Sequence, residues 1–436
     1  MIRKNLMTVC VIVFSKTGLF AQTNTLQLTV KEAEKYAIEH NYLMKNASLD
    51  VKKAEATKWY AISTMLPQVN GTLDYTDYLG YEMIMKFPSP IPGAAPIETR
   101  IPMKSSSNLT VQASVTVSGA QIVSATLGKL AVEMAKTNHQ KTEQTIKAQV
   151  RTLYFSILAM ENTVELLAES MENLKKLEKQ AQQAVTVGVS EQVDADQLSV
   201  QVSSLQNTVN STQRSIEMLY NSMRLLLGIS VDAQITLAET IETVLNIENT
   251  NKLLNDNFSL ANNLDYQLIE KNVELSKKQL LITEWAYGPA LSAFYQYKEK
   301  MQTSGLDMNP PQVVGFSLNI PIFSSGSKFA KVSEAKCTYK SAMNTRDMLN
   351  EQLQIQDRQL RFNLRSNMEN YETQRKNIEV SQRVFTNISN KYEQGYASSM
   401  DVTNSSMNLI NAQSNYIRAM LEVITAQIEL ETLLNK

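Results

Sequence analysis

Residues 188–194 read Gly-Val-Ser-Glu-Gln-Val-Asp, and residues 395–401 read Gly-Tyr-Ala-Ser-Ser-Met-Asp. Each stretch has a glycine followed six positions later by an aspartate, and the two stretches lie 207 residues apart. A glycine suits the left-handed turn just past a long helix, and an aspartate suits the first turn of the helix that returns. The sequence therefore predicts the same helix–turn–helix hairpin at two places.

Further matches indicate that most of the chain is one unit written twice. Two pairs lie 222 residues apart, Asn41 with Asn263 and Pro67 with Pro289. Two further pairs lie 207 residues apart, Ser118 with Ser325 and Gly119 with Gly326. The difference of 15 residues places an insertion within residues 81–106, where five of the ten prolines lie, so we expect a loop there. This predicts a first unit over 22–228, a linker at the equator over 229–257 and a second unit over 258–436.

The hydrophobic pattern between these landmarks predicts very long helices. Apolar residues after Asp194 recur at alternating steps of four and three, which is typical of helices packed side by side. The positions are Leu198, Val202, Leu205, Val209, Thr212, Ile216, Leu219, Met223 and Leu226, all apolar except Thr212, and in the second half Leu409, Ala412, Tyr416, Ala419, Val423, Ala426, Leu430 and Leu433. A single helix over 120–187 would be about 100 Å long, a length that no compact globular domain needs.

Four segments alternate apolar and polar residues and are expected to be strands, at about 68–81, 107–118, 290–299 and 312–323. Strands of roughly ten residues are long enough to cross a bilayer when tilted. In lipid every backbone polar group must be paired, so such strands close into a barrel of at least about eight strands. Four strands cannot close alone. We therefore expect several copies to share one barrel, with a polar inner face lining a pore.

Composition excludes several classes of function. The 42 Lys and Arg balance 43 Asp and Glu and are spread along the chain, so we expect no nucleic-acid partner. Two cysteines and two histidines are too few for a zinc site or a metal cluster. No paired acid and base, nucleophile or phosphate-binding glycine loop has a convincing context. We expect neither enzymatic activity nor a cofactor.

Residues 1–21 have the features of a secretory signal. Arg3 and Lys4 form a positive start, residues 6–14 an apolar stretch, and Gly18 and Ala21 a small-residue end. Lys16 is late for such a signal and leaves a short N-terminal anchor as the alternative. After residue 21, no stretch approaches the 18 or more apolar residues needed to span a bilayer as a helix.

The signal, the two helix–hairpin–helix units and the glycine–aspartate turns together resemble the TolC-like outer-membrane efflux proteins. The order of local motifs carries this resemblance over residues 24–436: Leu66-Pro67-Gln68, Leu226-Leu227-Gly228, and Ile-Pro-Ile-Phe-Ser-Ser-Gly over 320–326. It implies a homotrimer with a twelve-stranded β-barrel in the outer membrane of a Gram-negative bacterium, standing on a long α-helical barrel in the periplasm. It also implies a passive exit duct of a tripartite efflux system, with a periplasmic adaptor protein and an inner-membrane transporter as partners and outer-membrane lipid around the barrel.

The same resemblance places a gate at the far periplasmic tip. The residues concerned are Gly188, Asp194, Tyr392, Gly395, Asp401 and Asn404. Asp194 and Tyr392 correspond to gate residues, and Asp401 corresponds to one of two aspartates that ring the entrance. Asn404 replaces the second aspartate and Ala397 replaces the arginine of the family, so we expect fewer charges in the ring and no salt bridge from that arginine. The alternative is that both aspartates only cap helices and that Tyr392 only packs.

Two other functions fit the sequence. One is an outer-membrane duct of a type I protein secretion system, and the other is an exported coiled-coil scaffold with no pore, although a scaffold does not need four alternating strands. Five methionines fall in or beside the predicted outer loops: Met83, Met85, Met103, Met301 and Met308. They could bind Cu(I), but flexible packing explains them better because no Met-x-x-Met cluster is present.

Overall fold

The computed structural model describes residues 26–91, 93, 95–241, 247–302 and 310–436. The predicted signal at 1–21 and Met308 lie outside the described residues. The helices of the described residues include α1 Val30–His40, α2 Tyr42–Ser63, α3 Gly119–Thr186, α4 Gln192–Leu227, α5 Ile247–Asn255, α6 Leu264–Glu284, α7 Ser327–Glu393 and α8 Ser399–Leu434. The strands are β1 Leu26–Leu28, β2 Gln68–Thr76, β3 Glu82–Phe87, β4 Ile97–Pro102, β5 Ser106–Ser118, β6 Ile235–Leu237, β7 Ala290–Gln302 and β8 Gln312–Asn319.

The long helices predicted from the heptads are confirmed. The helices α3 and α7 have 68 and 67 residues, so each is about 100 Å long. In the first half α2 and α4 pack along α3, and in the second half α6 and α8 pack along α7. Most of the apolar heptad positions are buried between these helices, including Leu198, Leu205, Leu409 and Leu430.

Two buried asparagines join the shorter helices end to end. The side-chain oxygen of Asn41 accepts from the first turn of α2, while its amide donates to the carbonyl of Leu226 at 2.7 Å. Asn263 caps α6 in the same way and donates to the carbonyl of Leu433 at 3.1 Å. The two side chains are 4% and 5% exposed. Each pair of short helices, α2 with α4 and α6 with α8, is therefore held as one continuous column.

Four long strands form one antiparallel sheet in the order β2-β5-β7-β8. In its register Leu73 lies opposite Leu109, and Tyr295 lies opposite Val314. Because partners in a sheet share a face, one face is apolar and the other is mainly Gln, Asn, Ser and Thr. The strands β2 and β8 form the two edges, and neither has a further partner among the described residues.

Phe294 is an exception on the polar face, and it has a structural reason. It lies directly opposite Gly315, and a Cβ added at Gly315 would come within 2.6 Å of its ring. The phenyl ring therefore covers the backbone of the glycine in the neighbouring strand, an arrangement known to stabilise glycine in sheets.

The first long strand ends earlier than the sequence predicts. It stops at Thr76 rather than Tyr81 because Leu79 and Gly80 have φ angles of 50° and 77°, which break the extended backbone. The side chain of Asp77 stabilises this turn by accepting the N–H of Leu79 at 2.9 Å.

The strands of the second half also differ in their ends. β7 continues to Gln302 instead of ending near 299, and β8 ends at Asn319 instead of 323. Pro321 has no N–H to donate to a neighbouring strand, and the left-handed residues Ser325 and Gly326 follow it. The alternating pattern over 320–323 therefore continues beyond the strand itself.

The expectation of a loop over the whole proline-rich insertion is wrong. Strands β3 and β4 pair there as a separate antiparallel hairpin. One face carries ion pairs, with Lys86 and Glu98 2.6 Å apart and Arg100 and Glu82 3.9 Å apart. The other face is largely apolar, with Met83, Met85, Phe87, Ile97 and Ile101. The prolines do not prevent pairing because they stand between the strands or at the last position of β4.

The linker predicted over 229–257 contains regular structure. Its strand β6 pairs in parallel with β1, and helix α5 follows. Tyr154 of α3 donates its hydroxyl to the carbonyl of Leu28 at 3.0 Å, which attaches this small sheet to the middle of the long helix. None of the described helices combines the length and apolar character that crossing a membrane requires.

Candidate functional site

The helical ends farthest from the sheet form two turns of the same geometry. At the end of α3, the N–H of Gly188 donates to Val185 and that of Val189 donates to Ala184, at 3.0 and 2.9 Å. At the end of α7, Gly395 and Tyr396 make the equivalent bonds at 2.9 and 2.8 Å. Both sets define a Schellman cap, and both glycines have the left-handed φ it needs, 78° and 80°. The predicted tip turns at Gly188 and Gly395 are therefore present.

Asp194 links the two turns. It is the third residue of α4, and its carboxylate accepts the hydroxyl of Ser190 at 2.9 Å and that of Ser399 at 2.5 Å. Ser399 is the first residue of α8 and is 2% exposed. The hydrogen bond from Ser399, followed by that from Ser190, lowers the pKa of Asp194 because both stabilise the carboxylate.

Asp401 occupies the same helical position in α8 but has local partners. It forms a capping box with Ser398: Asp401 accepts the backbone N–H and the hydroxyl of Ser398 at 3.0 and 2.8 Å, and its own N–H donates to the Ser398 hydroxyl at 3.1 Å. These bonds lower the pKa of Asp401, that from the backbone most strongly. The carboxylate is exposed, and no described residue forms an ion pair with it.

Tyr392 lies in the last turn of α7 and packs against the apolar cluster at the tip, which includes Leu198, Phe385 and Val402. Burial raises the pKa of its phenol, and the negative charge of Asp194 raises it further. The structure therefore brings Tyr392 and Asp194 together. Asp401 and Asn404 are exposed, one helical turn apart on α8.

Two serines of the tip were not identified from the sequence. Ser190 corresponds to Ala397 at the offset of 207, and Ser399 corresponds to Gln192. Comparing the two halves position by position would have shown that only the first half has a serine four residues before its aspartate, so that Asp194 has a hydrogen-bond donor that Asp401 lacks. The contact of Ser399 joins residues 205 positions apart, and no local pattern indicates it.

The tip can hold helices together but offers no catalytic arrangement. Its polar groups include carboxylates, hydroxyls and the phenol of Tyr392, whose raised pKa keeps it protonated at neutral pH, and the hydroxyls and carboxylates cap helices or bond one helix to another. Among the described residues, no group of three His, Cys, Asp or Glu side chains is placed to hold a metal ion. The free Cys337 is exposed on α7, well outside the tip.

The family model for outer membrane efflux proteins matches residues 35–229 and 257–436, which is most of the chain. The chain belongs to this family. It is therefore an outer-membrane efflux channel of Gram-negative bacteria, in a family of channels rather than enzymes whose members work in tripartite efflux systems. The family resemblance inferred from the sequence is confirmed. None of the curated proteins matches this sequence significantly.

Solved channel structures share the fold. VceC from Vibrio cholerae is 15% identical, with a TM-score of 0.72 over 93% of this chain and 95% of that one. CmeC from Campylobacter jejuni is 14% identical, with a TM-score of 0.73 over 93% and 85%. The open state of MtrE from Neisseria gonorrhoeae is 15% identical, with a TM-score of 0.72 over 93% and 88%. At these identities the comparison shows the fold alone.

Proposed function

We propose that three copies of this chain close one twelve-stranded barrel in the outer membrane, above a tunnel built from their helices. The observation that carries this proposal is the open four-stranded sheet with unpaired edges at β2 and β8. An unpaired edge in lipid costs several kcal/mol for each unsatisfied backbone group, so β2 of one copy would pair with β8 of the next.

The two faces of the sheet support this orientation. Val69, Leu73, Val314 and Phe316 on the apolar face are all strongly exposed in the single chain. A contiguous exposed apolar face of this kind marks an interaction surface, and here it would face lipid tails. The opposite face, rich in amides and hydroxyls, would then line a wet pore.

The helical tips would form the gate of the tunnel. The tie from Asp194 to Ser399 holds the start of α4 against the start of α8, and Tyr392 packs over the same junction. Opening would require these helices to separate, which breaks that tie. The exposed Asp401 and Asn404 would ring the entrance, with three carboxylates in a trimer rather than six.

The tandem repeat supplies the internal symmetry of this assembly. The two Schellman turns and the two asparagine joints at Asn41 and Asn263 support 22–228 and 258–436 as copies of one unit, with 229–257 between them. Six such units would surround the tunnel in a trimer.

The duct itself would conduct passively. A periplasmic adaptor protein would contact the tip, and an inner-membrane transporter would supply cargo and energy. VceC is an outer-membrane protein and MtrE is an outer-membrane channel. From these similar structures we infer for this chain only that it forms an exit duct for small molecules.

The decisive experiment measures the native mass of the protein extracted in detergent from separated outer membranes, followed by single-channel recording in planar bilayers. We expect a mass of three chains and discrete conductance steps. A monomer or dimer without conductance would contradict the trimeric duct and favour a scaffold without a pore.

A further inference from the structure

A large groove lies at the level where the short helices meet end to end. Its volume is about 1100 Å³. It is lined by the junction of α2 with α4, by the junction of α6 with α8, and by the middle of both long helices. Much of the wall is apolar, with Leu43, Leu225, Leu264, Leu353, Leu360 and Ile428. Pockets for drug-sized ligands typically measure about 300–1,000 Å³, so the groove is large enough for one.

The groove faces away from the small β1–β6 sheet. Tyr154 of α3 points at that sheet, since its hydroxyl bonds to Leu28. Thr152 and Ser156, two positions before and after it, line the groove. Residues two apart on a helix point about 200° apart, so the groove occupies the opposite side of α3.

The groove also shows which side of the protomer is concave. Both helical columns and both long helices line a single cavity, so this side of the protomer is concave. Three copies that close a tube place their concave sides inward. On the basis of the proposed function, each groove therefore opens into the tunnel, in the path of cargo.

The charges of the groove favour a cation. Lys141 forms an ion pair with Asp265, so these two lining residues neutralise each other. Glu429 also lines the groove and is exposed, and none of the described Lys, Arg or His side chains forms an ion pair with it. An organic anion would meet one unpaired carboxylate there, whereas a cation would find a partner for its charge.

We propose that this groove transiently binds amphiphilic organic cations as they pass through the tunnel. The apolar part of the ligand would lie against Leu225 and its neighbours, and its positive group would lie near Glu429. The open, water-filled setting keeps the ion pair weak, which suits a site that must release its ligand. The duct would thus favour one class of cargo at its middle as well as at its tip.

The test measures binding of ethidium, a planar aromatic cation, to the full-length protein in lipid nanodiscs by fluorescence anisotropy. Glu429→Gln should raise the dissociation constant about three- to fivefold, as expected for a solvent-exposed ion pair. Leu225→Gln should also weaken binding. Fluorescein, an aromatic anion of similar size, should bind more weakly than ethidium and should not lose affinity in Glu429→Gln.

Matched controls lie on the same helices. Met218→Gln changes a residue on α4 one heptad before Leu225, and both side chains are 70% exposed. Glu422→Gln changes an exposed carboxylate one heptad before Glu429 on α8. Neither control residue lines the groove, so both variants should bind ethidium as the unmodified protein does.

The outcomes separate this inference from the proposed function. A preparation that has the mass of three chains and conducts, but binds no ethidium or binds it equally well in Glu429→Gln and Glu422→Gln, would overturn the cation site and leave the duct intact. A preparation that neither forms trimers nor conducts would contradict both the trimeric duct and the cation site.

Discussion

Two aspartates at equivalent positions of the two repeats have different partners. Asp401 is bonded to its own helix cap, whereas Asp194 accepts a hydroxyl from the other repeat. Asp194→Asn should weaken the tie between α4 and α8. A net hydrogen-bond contribution of about 0.5–1.5 kcal/mol predicts a two- to tenfold rise in leak through the isolated channel, measured in planar bilayers.

Asp401→Asn is the matched control for that variant. It should leave the leak unchanged but lower the preference of the open channel for cations, because it removes an exposed charge from the proposed entrance ring. An equal increase in leak for both variants would mean that the tie to Ser399 has no special role in closure.

The lowered pKa of Asp194 predicts how closure depends on pH. A carboxyl group whose pKa is lower in the folded protein contributes stability above its unfolded pKa, about 3.9, and loses it as pH falls through the folded value. The leak should therefore stay constant from pH 8 to about 5 and rise only below about 4. Because the pKa of Tyr392 is raised, its phenol stays protonated throughout this range, and Tyr392→Phe should show the same pH profile. A rise in leak near pH 6 would show that another group controls the gate.

At the scale of elements, the end-to-end joints are the clearest source of stability to test. Asn41→Ala removes a helix cap and leaves the part-buried carbonyl of Leu226 without the amide of Asn41, at a cost of about 1–3 kcal/mol in the free energy of unfolding. Asn263→Ala should cost about as much. Thermal unfolding followed by circular dichroism measures both losses.

Ser118→Ala provides a comparison because Ser118 caps α3 without tying it to another helix. Its cost should be smaller, about 0.5–1 kcal/mol. If all three variants lost the same stability, the asparagines would act only as caps. The hydrogen bonds from their side-chain amides to Leu226 and Leu433 would then not stabilise the columns.

Elements with a long repeating pattern could be predicted from the sequence, and short or strained ones could not. Heptads over many turns identified α4 and α8, because every turn repeats the signal. The hairpin β3–β4 has only six residues in each strand and is flanked by prolines, so the turn signal concealed it. The end of β2 depends on a left-handed Leu79, for which the residue type gives no warning.

The candidate site was predictable to the same extent. The turns at Gly188 and Gly395 and the capping role of Asp401 follow from local spacing, and Ser398 three positions before Asp401 is the sequence pattern of a capping box. The partnership of Asp194 with Ser399 depends on how two distant turns meet in space, which local patterns do not contain.

At the scale of the whole molecule, the unpaired edges of the sheet, which support the proposed trimer, also predict which residues meet between copies. If β8 of one copy continues the sheet beyond β2 of the next, alternate residues of both strands share a face. Thr72 belongs to the polar face of β2, and Val313 and Ser317 belong to the polar face of β8. Leu318 belongs to the opposite face.

Cysteine cross-linking tests this assembly. Cys337 is first replaced by Ser, because it is exposed and would react. Thr72→Cys is then combined in separate proteins with Val313→Cys, Ser317→Cys or Leu318→Cys and oxidised in outer membranes. One of the polar-face pairs should give a denaturant-resistant ladder that ends at three chains, whereas the pair with Leu318→Cys should not, because its side chain points to the other face. A ladder longer than three chains would mean that the edges do not close, and cross-linking that ignored the face would contradict the continuous sheet.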